Sequence, residues 1–303
     1  LSGQTDVSMD IANFTDGLLI QPNSDGSAPT TGTLSTATGN TGIGKSTFTA
    51  LTSGDTNTAY GYNSMAALTT GSDNVAVGAS ALDANTTGGS NIAIGAGSLG
   101  ANTTASNNTA VGYSALLANT TGTANTSVGL ASLTSNTTAD NNTAVGFEAL
   151  NANTTGYSNT ALGKSALALN TTGHRNSAVG KDALDANTTG YYNVAVGEAS
   201  MGANTDGHSN TAVGHEALKA NTTGDTNVAV GNGALTTATT ATDNVAVGAN
   251  ALRLNTTGDK NVAIGKSALD LNTTGSDNVA IGFGALDANT TGNVNVAIGK
   301  NAL

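Results

Sequence analysis

The sequence predicts an all-β solenoid, a stack of seventeen-residue coils wound as a two-sided parallel roll. Three observations carry that expectation. Asn recurs at 40, 57, 74, 91, 108, 125, 142, 159, 176, 193, 210, 227, 244, 261, 278 and 295 without an insertion, so internal repetition is the first fact about the fold. With each of these asparagines counted as position 0, Gly stands at +4 in all sixteen copies, from Gly44 to Gly299. Within a unit the apolar residues alternate, at +1 and +3 and again at +8 and +10, which is the period of a strand. A unit of this length is too short for the helix pairs of helical solenoids, and its Asn, Thr, Gly and Val content disfavours helix.

Taken in order, residues 1–39 lack the period and hold both prolines, Pro22 and Pro29, so they read as an N-terminal linker or capping segment. Residues 40–303 form the repeat shaft, sixteen coils of which the last is incomplete. The first coils are degenerate, with Leu51 and Leu68 in place of the +11 Asn, which suits a terminal cap. Leu1 suggests a processed chain or fragment, and the half-written coil at Leu303 suggests that the natural protein continues, because an uncapped solenoid exposes a pairing edge. Within each coil two short strands are expected, joined by a corner at +5/+6 and closed by a longer turn at +12 to +16. A triangular helix would repeat its Gly signal every sixth position, which this chain does not do.

The columns assign faces. Position +2 is Ala except at Gly42 and Ser127, +3 is Val, Ile or Leu except at Tyr60, and +8 is Leu except at Phe48, Met65 and Met201. Within residues 40–303 every charged residue falls at +5, +6, +9, +13, +15 or +16, so the charge-free columns are expected to be packed. On this basis Val77, Ile94 and Val111 at +3 should face Leu82, Leu99 and Leu116 at +8 inside the roll, with residues such as Ala84 at +10 filling the gap. Asn at 0 and at +11 should form hydrogen-bonded ladders along the stack. Ala at +2 and Gly at +4 would then point away from the core, and their uniform smallness implies another backbone close by. Two further copies packed on a common axis would supply it, so a homotrimer is expected and Gly146→Leu should disrupt assembly. At about 4.8 Å per coil the stack would be a rod roughly 75 Å long.

Composition excludes several function classes. A formal charge of −11 argues against binding nucleic acid or anionic lipid through a basic face. The longest aliphatic run near the start, Leu18-Leu19-Ile20, is far too short to span a membrane. With no Cys there are no disulfides or thiolate metal sites, and the compartment stays open.

Candidate chemistry is sparse. Of the twelve Asn-Thr-Thr or Asn-Thr-Asp sites at +11, the eleven that read Asn-Thr-Thr match the glycosylation sequon, but the same asparagines are expected in a packed ladder. His174 and His208 share column +15 two coils apart, roughly 10 Å, too far to share a metal, and His215 lies elsewhere. Glu148, Asp182 and Glu216 occupy +6 on alternate coils and read as a solvated face. No nucleophile triad or phosphate loop stands out, so no enzyme activity is expected, and no catalytic, cofactor-binding or metal-binding residue and no cofactor is nominated. Adjacent Thr86 and Thr87 lie in a turn, unlike the same-face spacing an ice-binding strand needs. The irregular +5 column, with Tyr113, Phe147, Lys164 and Phe283, could touch a glycan or a protein.

The stretches "NTAVGYSALLANTTG" (108–122) and "NVAVGEASMGANTDG" (193–207) resemble the head repeats of trimeric autotransporter adhesins, and more closely the seventeen-residue repeats of bacteriophage tail fibres. The resemblance covers residues 57–303 well and 40–56 weakly. It implies a left-handed parallel β-roll assembled as a homotrimer and used as a fibre shaft or adhesive head. The function expected from it is the shaft of a phage tail fibre in the virion, spacing and presenting a receptor-binding tip for host attachment. Other tail or baseplate proteins would be its partners, and a host receptor would be bound through a region outside this chain. The alternative is a bacterial cell-surface adhesin or extracellular filament subunit whose repeats themselves bind.

Overall fold

A computed structural model describes residues 7–11, 14–21 and 31–303, and by compactness the chain divides into two units, Leu1–Glu148 and Ala149–Leu303. In the first unit β1 (Val7–Ile11) pairs antiparallel with β2 (Phe14–Ile20), which in turn lies parallel to β3 (Ala37–Thr38) and β4 (Thr41–Ile43). From β4 the parallel ladder continues through β5 (Thr58–Tyr60), β6 (Val75–Val77), β7 (Ile92–Ile94), β8 (Thr109–Val111), β9 (Thr126–Val128) and β10 (Thr143–Val145). The second unit repeats the arrangement in β11 (Thr160–Leu162), β12 (Ser177–Val179), β13 (Val194–Val196), β14 (Thr211–Val213), β15 (Val228–Val230), β16 (Val245–Val247), β17 (Val262–Ile264), β18 (Val279–Ile281) and β19 (Val296–Ile298). Equal columns pair throughout: Val75 lies opposite Ile92, and Val228 opposite Val245. The protein is therefore all-β, a parallel β-solenoid of seventeen-residue coils.

Upstream of residue 40, β2 already belongs to the stack, with Phe14 and Leu19 fully buried. Pro22 and Pro29 lie outside the described residues.

The strand faces the other way from the sequence expectation. Ala at +2 is inside, fully buried at Ala76, Ala93 and Ala195, whereas the +3 aliphatics stand outward, 40% exposed at Ile94 and 47% at Leu162. Position +7 (Ala81, Ala115) shares the interior with Leu82 and Leu116 at +8, while Ala84 at +10 is only half-buried. The coil is too thin to hold two large aliphatics face to face, so a methyl group opposes each leucine. The first coil shows the trade directly. There Phe48 replaces the leucine and Gly42 replaces the alanine, and a Cβ on Gly42 would stand 2.8 Å from both the Phe48 ring and Leu19. Ser127, the other exception at +2, is buried and donates its hydroxyl to the Ser132 carbonyl at 2.9 Å.

The second strand expected at +8 to +10 is absent: that side of the coil is a run of turns. Its backbone takes positive φ at +6 and +8, as at Ser80 (52°) and Leu82 (52°), which extended backbone does not permit. A leucine in the left-handed region carries strain of about 1–3 kcal/mol, here offset by full burial and by bonds to the next coil. Thus the Leu82 N–H donates to the Ser98 carbonyl at 3.1 Å, and Ala84 N–H to Gly100 at 3.3 Å.

Glycine at +4 also has a different neighbour from the one expected. Its φ is near 140° at Gly78 and Gly112, and a Cβ on Gly112 would meet the Gly129 carbonyl oxygen at 2.4 Å. The close backbone is the next coil of the same chain, so this column reports stacking within one solenoid.

The asparagine ladders form as expected. Asn74 Nδ2 donates to Asn57 Oδ1 at 3.0 Å and to the Gly88 carbonyl at 2.9 Å, and the Asn74 N–H donates to the same Asn57 Oδ1. Asn85 at +11 sends its amide to that same Gly88 carbonyl at 2.9 Å and receives Asn102 Nδ2 at 3.0 Å. Two buried ladders thereby pin the long turn from both sides. The turn itself needs no positive φ at +14, in keeping with Ala105, Ala139 and Ala241 there.

Candidate functional site

Because interior columns are consumed by coil-to-coil bonding, any recognition surface must lie on the outward columns. Three such regions stand out.

The first is the strand face. Positions +1 and +3 carry only Thr, Ser, Val, Ile, Leu and one Tyr, with no charge on any coil. Ile92, Ile94, Val128, Leu162, Val194, Val213 and Ile264 are each exposed by more than a third. These two columns were expected to be packed because they lack charge. They are charge-free and yet half-open to solvent.

The second is a shallow groove in the second unit. Gly202 at +9 leaves a notch between Asp185 and Lys219, walled further by Asp182, Ala203 and Thr236. Burial pushes the Asp185 carboxyl up from its ordinary value, and the neighbouring Asp182 charge adds to the effect. Lys219 turns instead to Glu216 at 2.6 Å, and that hydrogen bond lowers the Glu216 carboxyl. Asp182 and Glu216 are held apart by the intervening coil that carries Ala199, so they do not form a carboxylate pair.

The third lies in columns +15 and +16 of the second unit. Four rings stack in sequence: Tyr157 on His174 at 4.8 Å and 11°, His174 on Tyr191 at 5.2 Å and 2°, Tyr191 on His208 at 4.7 Å and 18°. Beside them Tyr192 stands edge-on to His174 and Tyr191, and the Arg175 guanidinium lies 5.5 Å from the Tyr157 ring centre and 5.3 Å from that of Tyr192. Arg175 also donates to the Tyr192 hydroxyl. His208 Nε2 closes the row on Asp225 at 3.2 Å. The two histidines thus have the Tyr191 ring between them and do not converge. Among the described residues no three His, Cys, Asp or Glu gather as metal ligands.

Other residues singled out by sequence lie outside these three regions. Tyr113, Phe147 and Phe283 at +5 are exposed, and Lys300 approaches the Phe283 ring at 5.9 Å. His215, also at +5, meets Asn232 at 3.3 Å. Eleven of the twelve asparagines at +11 are fully buried in the ladder, and Asn289 is half-buried, so the folded coil shields the amide nitrogens that glycosylation would need. The ring stack escaped the sequence reading, although its signal is present: Tyr157, His174, Tyr191 and His208 all fall at +15 on successive coils.

Among the described residues no helix is long and apolar enough to cross a membrane. No family model matches the sequence, and no curated protein is significantly similar to it.

Proposed function

We propose that the chain is a non-enzymatic structural protein, the shaft of a homotrimeric fibre of the phage tail-fibre type, which spaces and presents a receptor-binding tip for host attachment. The observation that carries this reading is the outward +3 column. It is aliphatic on every coil but one, free of charge, and half-exposed in the single chain. A strand face about 10 Å wide that grows by about 5 Å per coil soon exceeds the few hundred Å² of contiguous apolar surface that a monomer ordinarily shows. A second and third copy, carrying the same face in the same register, would cover it. The interface therefore moves from Ala +2 and Gly +4, where sequence alone placed it, to positions +1 and +3. The virion, with other tail or baseplate proteins as partners, is the setting this reading implies, and the host receptor would be met outside this chain.

Light scattering on the full chain tests it. The expected mass is three times the 29.3 kDa of one chain, and a monodisperse single-chain mass overturns it. Val213→Lys with Ile264→Lys, which put charge on that face, should return the protein to the single-chain mass while the coil fold persists by circular dichroism.

A second reading, a cell-surface adhesin or extracellular filament subunit whose repeats themselves bind, is favoured by the exposed ring stack in the second unit. The two differ in where binding resides: a shaft leaves receptor binding to a region outside the repeats, whereas an adhesin of this kind binds through the repeats themselves, which a binding assay on this chain distinguishes.

A further inference from the structure

Column +15 solves one structural problem in two ways. In most coils its side chain caps a backbone N–H of the preceding coil: Thr38 N–H donates to Asp55 Oδ1 at 2.8 Å, Gly89 N–H to Ser106 Oγ at 3.0 Å, and Thr242 N–H to Asp259 Oδ1 at 2.7 Å. The pattern also holds at the edge of the ring stack, where His208 N–H donates to Asp225 Oδ1 at 2.7 Å. Where His174, Tyr191 and His208 stand, the coil below is offered a ring in place of that carboxylate or hydroxyl. In the adjacent column +16 the backbone is left-handed throughout, at Asp73 and Asn107 as at Thr56, Lys260 and Val294, and Arg175 and Tyr192 occupy it at φ 57°. Column +15 thus gives up its capping residues on four successive coils, at Tyr157, His174, Tyr191 and His208, and such local departures concentrate where a surface has another task.

We propose that Tyr157, His174, Arg175, Tyr191, Tyr192 and His208 form a binding site for an extended neutral oligosaccharide lying along the stack. The four stacked rings lie face to face, so their edges, which carry the phenol hydroxyls and imidazole nitrogens, recur at centroid spacings of 4.7 to 5.2 Å. An extended β-linked hexose chain presents hydroxyls with a similar repeat. Tyr192, 48% exposed, has Arg175 over one face, and the next coil puts only Ser209 in its column, which leaves the other face for the C–H surface of a sugar ring. The patch has one guanidinium, and His208 is matched by Asp225, on a chain of formal charge −11, which selects against a polyanion. This site does not depend on self-association and stands or falls separately from the shaft reading.

Ligand-observed NMR titration of the full chain with cellohexaose and chitohexaose tests the proposal, with a heparin-derived hexasaccharide as the anionic probe. Binding of at least one neutral probe is expected. Tyr191→Ser with Tyr192→Ser should weaken it about tenfold, since two aromatic contacts to the sugar are lost. Ser is the residue that column +15 already holds at Ser72, Ser106 and Ser276, so the variant should keep the thermal transition of the parent. Arg175→Gln provides a milder second variant with a smaller loss. Tyr113→Ser, on the +5 column, should bind as the parent does. No binding of either neutral probe, binding of the anionic probe alone, or unchanged affinity in the ring and Arg175 variants overturns the assignment.

Discussion

Columns +2 and +3 are neighbours on every strand and almost equally monotonous, but they face opposite environments. Ala at +2 is sealed inside the coil, while Val or Ile at +3 stands half in water. Monotony inside needs no explanation beyond the coil, because each alanine fills the space that a +8 leucine leaves. Monotony outside does need one, since water would accept any polar residue at +3 and only the phenol of Tyr60 occurs there. The difference teaches that internal repetition has two separable sources, packing within one solenoid and a requirement imposed from beyond it.

The interior side of this comparison breaks most severely at the +4 glycine. Gly112→Leu would place a Cβ 2.4 Å from the Gly129 carbonyl oxygen in a backbone region closed to side chains. A loss of more than about 3 kcal/mol is expected from combined strain and clash, large enough to unfold the neighbouring coils. Thermal melting followed by circular dichroism would show it. The loss should appear under conditions where single chains do not associate, because the clash lies within one chain.

Next in size is the ladder at position 0. Asn193 Nδ2 donates to the Gly207 carbonyl at 2.7 Å, and its Oδ1 accepts both the backbone N–H and the side-chain amide of Asn210, at 3.0 and 3.3 Å. Asn193→Leu leaves those buried groups unpaired, at about 2–4 kcal/mol in a chemical denaturation curve. The ladder at +11 offers the opposite experiment. It is interrupted where Ala238 replaces the asparagine, and Asn221 Oδ1, in the coil before, is buried without a hydrogen-bond partner. Ala238→Asn would supply that partner and reach the Ala241 carbonyl, as Asn102 does with Asn85 and Ala105. A gain of about 1–2 kcal/mol is expected by the same denaturation measurement.

Much of the coil was legible in the sequence because its features are column identities. The uninterrupted Asn period required parallel in-register stacking, and the two Asn columns announced ladders that Asn74 and Asn85 form. What sequence left open was phase. A period-two pattern has two faces, and a slip of one residue exchanges them. Large residues were assigned inward by habit of ordinary cores, whereas a coil this thin takes the methyl and turns Val77 outward. The paired exceptions Gly42 and Phe48 held the correct phase, the smallest +2 residue accompanying the bulkiest +8 residue. The turn side was only partly legible: Gly97, Gly233, Gly284, Asn63 and Asn250 at +6 suit positive φ, but the leucines at +8, such as Leu82, do not advertise it. The ring stack was legible in principle, but only by reading down column +15, because the four rings are seventeen residues apart in the chain.

The outward side of the comparison predicts the smallest effect on the coil itself. Val213 and Ile264, at 36% and 39% exposed, touch few groups whose loss would open a cavity. Val213→Lys with Ile264→Lys should therefore shift the unfolding free energy of the separated chain by no more than about 0.5 kcal/mol per site, the usual range for surface substitutions. The long lysine stems can lie along neighbouring aliphatics while the ammonium groups reach water. If the same pair instead destabilised the lone chain by as much as Asn193→Leu, the +3 column would owe its uniformity to the coil, and the case for an external partner on that face would fall. A near-zero shift, combined with loss of the assembled mass, would assign the uniformity of +3 to contacts between copies.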